Sequence, residues 1–281
     1  MEMMDQKIIR IVEEYVHAGL PMDAEAILII DVDGYPASLD AQSEEISQIL
    51  RAHGGYNLRT ARSADERNQI WFARKSAAGA LARLAPAQYT IDITVPRSRL
   101  AEALIEVNAI CERHNLRVGY VFHAGDGNLH PLILIPDPQD KALMQRVHEA
   151  GRETVEVAVR KNGSLSGEHG IGIEKRAFMP IMFNEAELSV MRDIKQVFDP
   201  QNLLNPGKIF PSSSKNDTRM IPSSLSSSTS VDAMLCVPRN VEEAASFLKD
   251  CTKAGRRVYI TGNTGEGARE AELPEGHSML S

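Results

Sequence analysis

Two stretches of this sequence carry residue types that can do chemistry. Residues 121–131 read VFHAGDGNLHP and residues 164–175 read SLSGEHGIGIEK. In the first, His123 and His130 flank an AGDGN turn; in the second, Glu168 and His169 stand between glycines. Glycine beside charged residues lets the backbone come close to something bound. Residues on paired strands beside a short turn can lie opposite one another, so both imidazoles could face one point. Two imidazoles and a carboxylate form a divalent-metal site with open positions, and Glu168 is the natural carboxylate. The histidine spacing alone is a weak signal, matched as well by two unrelated core or surface histidines. The AGDGNLHP run adds weight, because it is too polar for a core hairpin and too rich in glycine for an idle surface one.

His169 fits two roles. A free imidazole titrates near neutrality, which suits a general base. A ring beside a metal-bound carboxylate can equally serve to orient it. Asn128 either donates to a substrate oxygen or occupies the left-handed turn position that Asn tolerates. A further group lies on a helix that Ser63 opens, with Ser63 and Glu66 at capping-box spacing. Arg67, Trp71, Arg74 and Ala78 share one face of it, bordered by Lys75. That face is either a solvated basic surface with Trp71 partly in the core, or an anion site, since the Arg fork matches a carboxylate.

The elements that must position these groups alternate. Residues 5–18 predict a helix with Ile8, Val12 and Tyr15 on one face, stopped by Gly19 and Pro21. AILIIDVDG (26–34) predicts a buried strand. Residues 43–53 predict a helix with Ile46, Ile49 and Leu50 inward, closed by Gly54 and Gly55. QYTIDITVP (88–96) reads as one strand stopped by proline. Helix 98–114 turns Leu100, Leu104, Val107 and Cys111 inward. RVGYVFHAG and LHPLILIPD read as paired strands joined through GDGN. Helix 138–161 has Leu143, Val147, Ala150 and Thr154 inward, and a further helix covers 186–198. The expected fold class is α+β: a mostly antiparallel, ferredoxin-like sheet with helices on one face.

Composition bounds the rest. The chain has 281 residues, 43% hydrophobic and 25% charged, as in ordinary globular proteins. A formal charge of -7 argues against nucleic acid as the main partner. Cys111, Cys236 and Cys251 lack CxxC spacing and read as buried or inert thiols in a reducing compartment. No apolar run approaches the roughly 20 residues that span a bilayer. The N-terminus is acidic and amphipathic rather than a secretory signal. The expected localisation is cytoplasmic, with membrane attachment only through partner subunits. Residues 211–230 hold nine serines and read as a linker. Residues 231–281 then resume a strand–helix–strand pattern ahead of a Gly-rich TGNTGEG loop, a partial α/β segment too small to bury a core alone.

The runs FHAGDGNLHP, GSLSGEHGIGIEK and FDPQNLLNPGK, in that order, resemble the C-terminal domain of FAD-linked oxidases of the vanillyl-alcohol oxidase type. IWFARKSA (70–77) and YTIDITVPRSRL (89–100) fit the same pattern, and the likeness runs over about residues 5–211. Within the family it is similar to glycolate oxidase D-type subunits and D-lactate dehydrogenases. The resemblance implies oxidation of a 2-hydroxy acid to a 2-keto acid, with two electrons passed to FAD. It implies His123, His130 and Glu168 as ligands of a zinc, manganese or iron ion and His169 as the base. Arg74 would clamp the substrate carboxylate, with Asn128 beside the substrate. In the 2-hydroxyglutarate enzymes a lysine stands where this sequence has Thr90, so a small monocarboxylic acid, glycolate or D-lactate, is expected.

The family's flavin domain precedes the matching region, so residues 1–211 are expected to be the substrate half, incomplete alone. FAD would be bound mainly by another domain or subunit. Residues 231–281 resemble the opening of such a domain, although TGNTGEG departs from its phosphate loop. An iron–sulfur subunit is an expected electron-transfer partner, since the chain has no cysteine cluster of its own. Two alternatives remain: a non-catalytic subunit or fragment that kept the fold, and a flavin-independent metal-binding protein.

Overall fold

The computed structural model describes residues 1–211, 234–236, 241–254, 257–260 and 277–280. Two compact units divide it at Gly170. The expected linker at 212–230 and the TGNTGEG loop at 261–267 lie outside the described residues.

The first unit is built on a five-stranded sheet in the order β2-β1-β5-β7-β3, antiparallel throughout. Its strands are β1 (Glu2–Asp5), β2 (Ala26–Ile29), β3 (Ala87–Thr90), β5 (Val118–Phe122) and β7 (Pro131–Ile135). Two short strands, β4 (Ile93–Thr94) and β6 (Asn128–Leu129), pair with each other apart from it. Helices α1 (Gln6–Val16), α2 (Pro36–Ala52), α3 (Ala64–Ala82), α4 (Leu100–Arg113) and α5 (Lys141–Arg160) complete the unit. The α+β expectation is borne out.

One expectation changes: the sheet is covered on both faces. Every residue of β5 and β7 is buried, which requires cover above and below. On one side Ile8, Val12, Ala73, Ala77 and Leu81 from α1 and α3 form a cluster with Met4, Val121, Leu132 and Leu134. A Cβ on Gly119 would sit 2.6 Å from Ile8 Cδ1, so a side chain there would drive α1 off the sheet. On the other side Cys111 of α4 meets Tyr120 of β5, and Gly151 of α5 lies under the Tyr89 ring. Full burial of a side chain such as Phe122 contributes about 1.5–3 kcal/mol.

Local signals set the helix starts. Asp5 caps α1 by accepting from the Ile8 N–H at 2.9 Å, and Ser63 caps α3 by accepting from Glu66. The α1 helix ends at His17, which adopts the left-handed conformation before the predicted Gly19 is reached. Four other readings need correction. Strand β1 was hidden in the N-terminal amphipathic pattern, yet it pairs on both edges. Strand β2 is an edge strand of four residues with only Ile29 buried. Helix α2 buries none of its residues, and Ile49 is exposed. The predicted strand 88–96 is broken at Ile91 and Asp92 into β3 and β4.

The second unit contains the four-residue α6 (Met179–Met182) and α7 (Glu185–Phe198), which opens with a complete capping box of Asn184 and Glu187. Farther on, β8 (Met234–Cys236), β10 (His277–Leu280) and β9 (Arg257–Ile260) form a parallel sheet in that order, accompanied by α8 (Val241–Lys253). Among the described residues no helix is long and apolar enough to cross a membrane.

Burial pushes the Cys111 thiol up to about 11. The thiolate is the reactive form, so Cys111 is expected to resist alkylation by iodoacetamide in the native chain at neutral pH. Denaturation should restore labelling. Peptide mapping by mass spectrometry reads both states, and rapid native labelling would contradict the burial.

Candidate active site

Antiparallel pairing sets the start of one strand beside the end of its neighbour, and four such ends meet here. His123 follows β5, His130 precedes β7, Glu2 begins β1, and Asp92 follows β3. The chain from His123 to Asn128 turns tightly: Asp126 and Asn128 both donate their N–H to the His123 carbonyl, at 3.1 and 3.3 Å. Gly127 takes the left-handed position, with φ of 70°. A Cβ there would lie 2.1 Å from the Val95 carbonyl oxygen, so only glycine fits. Asn128 therefore does not occupy the left-handed turn position. It is buried in β6, opposite Thr94.

The loop carrying Glu168 and His169 arrives from α5. Ser164 exchanges backbone hydrogen bonds with Thr94, at 2.9 and 3.1 Å, which fixes its start. Asp92, fully buried, then gathers the loop. Its carboxylate accepts from Ser166 Oγ at 2.8 Å and from the N–H groups of Gly167 (3.0 Å), Glu168 (3.2 Å) and His169 (2.9 Å). A carboxylate out of water needs such donors. Gly167 must lack a side chain, because a Cβ would stand 2.7 Å from both Asn128 Oδ1 and Asp92 Oδ1.

The result is a convergence of donors. Glu168 Oε1 lies 3.3 Å from His123 Nε2, 3.4 Å from His130 Nε2 and 3.8 Å from His169 Nε2. The His123 and His130 rings meet edge to face at 5.5 Å between centroids, and His130 and His169 are 5.0 Å apart. One ligand atom each from His123, His130 and Glu168 falls within 4.8 Å of the others. His130 Nε2 is also 3.3 Å from Asp92 Oδ1, yet it is buried and makes no hydrogen bond. An imidazole nitrogen aimed at carboxylate oxygens without hydrogen-bond geometry fits a cation among them. Asn128 Oδ1 is a second buried polar atom without a partner, beside the same loop.

The α3 face does not act as one unit. Arg67 and Trp71 both donate to Asp31, Trp71 Nε1 at 3.2 Å, and the Arg67 guanidinium carbon lies 5.6 Å from the Trp71 ring centre. Arg74 turns elsewhere. Its Nε and Nη2 donate to Glu2 Oε2 at 3.1 and 2.9 Å, while Glu2 Oε1 accepts from His123 Nδ1 at 2.8 Å. Arg74 is thereby held one carboxylate away from His123. Sequence reasoning missed Glu2 and left Asp92 without a role. Asp92 carried a usable signal, an acidic residue inside an apolar β-branched run. Glu2 carried none, since its strand was read as the approach to a helix.

Against this geometry, sequence comparison decides the family. The profile of FAD linked oxidases, C-terminal domain, matches residues 1–209. The chain belongs to this family. It is 42% identical over 211 residues to glycolate oxidase subunit GlcD of Escherichia coli strain K12, across 75% of this chain and 42% of that protein. It is 36% identical over 210 residues to GlcD of Bacillus subtilis strain 168, across 75% and 44% respectively. It is 35% identical over 185 residues to a probable mitochondrial D-lactate dehydrogenase of Danio rerio, across 65% and 37%. The chain thus spans less than half the length of these relatives. The sequence motifs that suggested an FAD-linked oxidase C-terminal domain are borne out at the level of the family.

Because Asp92 holds three consecutive loop N–H groups, Asp92→Asn is expected to loosen residues 166–169 before it unfolds the sheet. The amide substitutes a donor for one acceptor oxygen, at a cost of about 1–3 kcal/mol for a donor left unsatisfied. Hydrogen exchange read by mass spectrometry should speed up in that loop and stay unchanged in β5 and β7. Unchanged loop protection would remove the anchoring role of Asp92.

Proposed function

We propose that residues 1–211 form the substrate-binding and metal-binding half of an FAD-dependent 2-hydroxyacid oxidoreductase acting on glycolate or D-lactate. The observation that carries this reading is the meeting of His123 Nε2, His130 Nε2 and Glu168 Oε1, with the buried His130 nitrogen close to carboxylate oxygens yet making no hydrogen bond. Membership of the FAD-linked oxidases and the names of the relatives, glycolate oxidase subunits and a D-lactate dehydrogenase, support the substrate class.

In this reading His123, His130 and Glu168 hold a zinc, manganese or iron ion. Held there, such an ion would supply Lewis-acid polarisation of the substrate hydroxyl, and FAD would supply the hydride acceptor. His169 takes the hydroxyl proton at Nε2; its half-exposed side chain can then pass the proton to solvent. Arg74, whose Nε and Nη2 are engaged by Glu2, would use its remaining guanidinium N–H groups on the substrate carboxylate. Asn128 offers its buried side-chain amide beside the substrate. Thr90, at the end of β3, brings no charge for a second carboxylate. FAD is bound by residues other than these, in the same polypeptide or another. The parallel β8-β10-β9 sheet with α8 supports reading the segment from 231 onward as the opening of a flavin-binding domain. A multisubunit assembly with an iron–sulfur partner, cytoplasmic or peripheral to a membrane, completes the proposal.

The test reconstitutes the chain with its flavin-binding partner and measures 2-hydroxyacid oxidation with a dye acceptor. His169→Ala should lower kcat by about 100- to 10,000-fold, with metal content unchanged. Arg74→Ala should act mainly through KM for the carboxylate substrate. Wild-type turnover of His169→Ala would rule out the base assignment. A wild type that oxidises neither acid would rule out the substrate class.

A further inference from the structure

Glu2 lies between two groups that the proposed function uses separately, and the role proposed for neither requires it. Strand β1 pairs with β5 through Met3 and Phe122, which brings Glu2 beside His123 at the end of the sheet. Its side chain is 11% exposed and that of Arg74 is 19% exposed. One oxygen, Oε1, meets His123 Nδ1 at 2.8 Å. The other, Oε2, receives both Nε and Nη2 of Arg74. The opposite nitrogen of the same ring, His123 Nε2, is the one that faces Glu168.

We propose that Glu2 is a positioning residue that fixes the His123 ring for metal binding and locks the Arg74 fork to it. This rests on the metal reading above. Glu2 cannot donate when ionised, so His123 Nδ1 carries the proton between them, and in the neutral ring Nε2 is then the nitrogen with the free lone pair. A carboxylate behind a ligating imidazole also raises its basicity and fixes its plane. Arg74 supplies the countercharge that makes a nearly buried carboxylate tolerable there. The substrate-carboxylate clamp and the metal ligand are therefore held at a set separation by one side chain rather than by two independent supports. The structural reading, in which Glu2 merely ties β1 to α3, leaves metal affinity and the ring proton unaffected.

The test uses Zn²⁺ as the probe and the full 281-residue chain, tagged at the C-terminus to leave Glu2 undisturbed. Zinc affinity is measured by competition with a chromophoric chelator, and thermal unfolding of the metal-free proteins serves as the fold control. Glu2→Gln keeps the shape but turns either its NH₂ toward Nδ1 or its NH₂ toward Arg74. Zinc binding should weaken about 10- to 100-fold. His123→Ala is the control for the site itself. If wild type and His123→Ala bind zinc equally, the metal reading fails and the proposal with it. If His123→Ala loses zinc while Glu2→Gln binds within twofold of wild type, the metal reading stands and the proposal is overturned. Should Glu2→Gln not fold, ¹⁵N NMR of the His123 ring in zinc-loaded wild type decides alone. A proton retained on Nδ1 with zinc on Nε2 is the expected result, and zinc on Nδ1 overturns the proposal.

Discussion

The candidate site depends on one buried carboxylate. Asp92 is fully buried, and four donors from residues 166–169 converge on it. A carboxylate in that position would be costly without them, and the loop would have no reason to hold its shape without the carboxylate. The break between β3 and β4 follows from the same contact. A continuous strand through Asp92 would alternate its side chains strictly across the sheet and commit its backbone groups to one ladder. Interrupting it lets Ile93 and Thr94 pair with the β6 segment and lets Asp92 face the loop. Glu168 and His169 inherit their places from that arrangement.

The second constraint is the antiparallel sheet. It stacks strand starts against strand ends, so residues far apart in sequence, Glu2, Asp92, His123 and His130, gather at one end of the sheet's strands. Both faces of β5 and β7 are sealed by helices, which leaves the strand ends as the place where polar side chains can meet. Arg74, Asn128 of β6 and the 164–170 loop come from outside the sheet. Rigid strands give the two imidazoles a fixed separation, while the carboxylate comes from a loop clamped at Ser164 and again by Asp92. Sites assembled on regular elements with a supporting outer layer of hydrogen bonds hold their geometry better than sites on free loops.

Polar interactions divide the α3 helix in a way its spacing does not show. Arg67 and Trp71 engage Asp31 at an exposed position, where a single ion pair contributes little. Arg74, one turn on from Trp71, enters a nearly buried pair with Glu2, where removing one partner costs several kcal/mol, about 3–5. The same residue type on the same helix thus stands in two energetic regimes, and burial decides which.

The sequence by itself determined α1, α4 and α5 through their periodicity, α3 through its Ser63 cap, and the antiparallel pair β5 and β7. It also determined the family, because glycine-bounded polar runs such as AGDGNLHP and SLSGEHG carry their own constraint: Gly127 and Gly167 have no room for a side chain. It named His123, His130 and Glu168, which the fold brings together, and His169 beside them. Only the tertiary structure decided what Glu2 and Asp92 touch. Hydrogen bonds across 121 and 77 residues of chain leave no periodic trace. It alone showed β1 and the edge position of β2, since strand pairing is a non-local choice that a four-residue pattern does not specify. It alone excluded the left-handed role for Asn128, because the turn gives that conformation to Gly127. Local chemistry is written in residue type and spacing; the partners of a buried charge are written only in the fold that buries it.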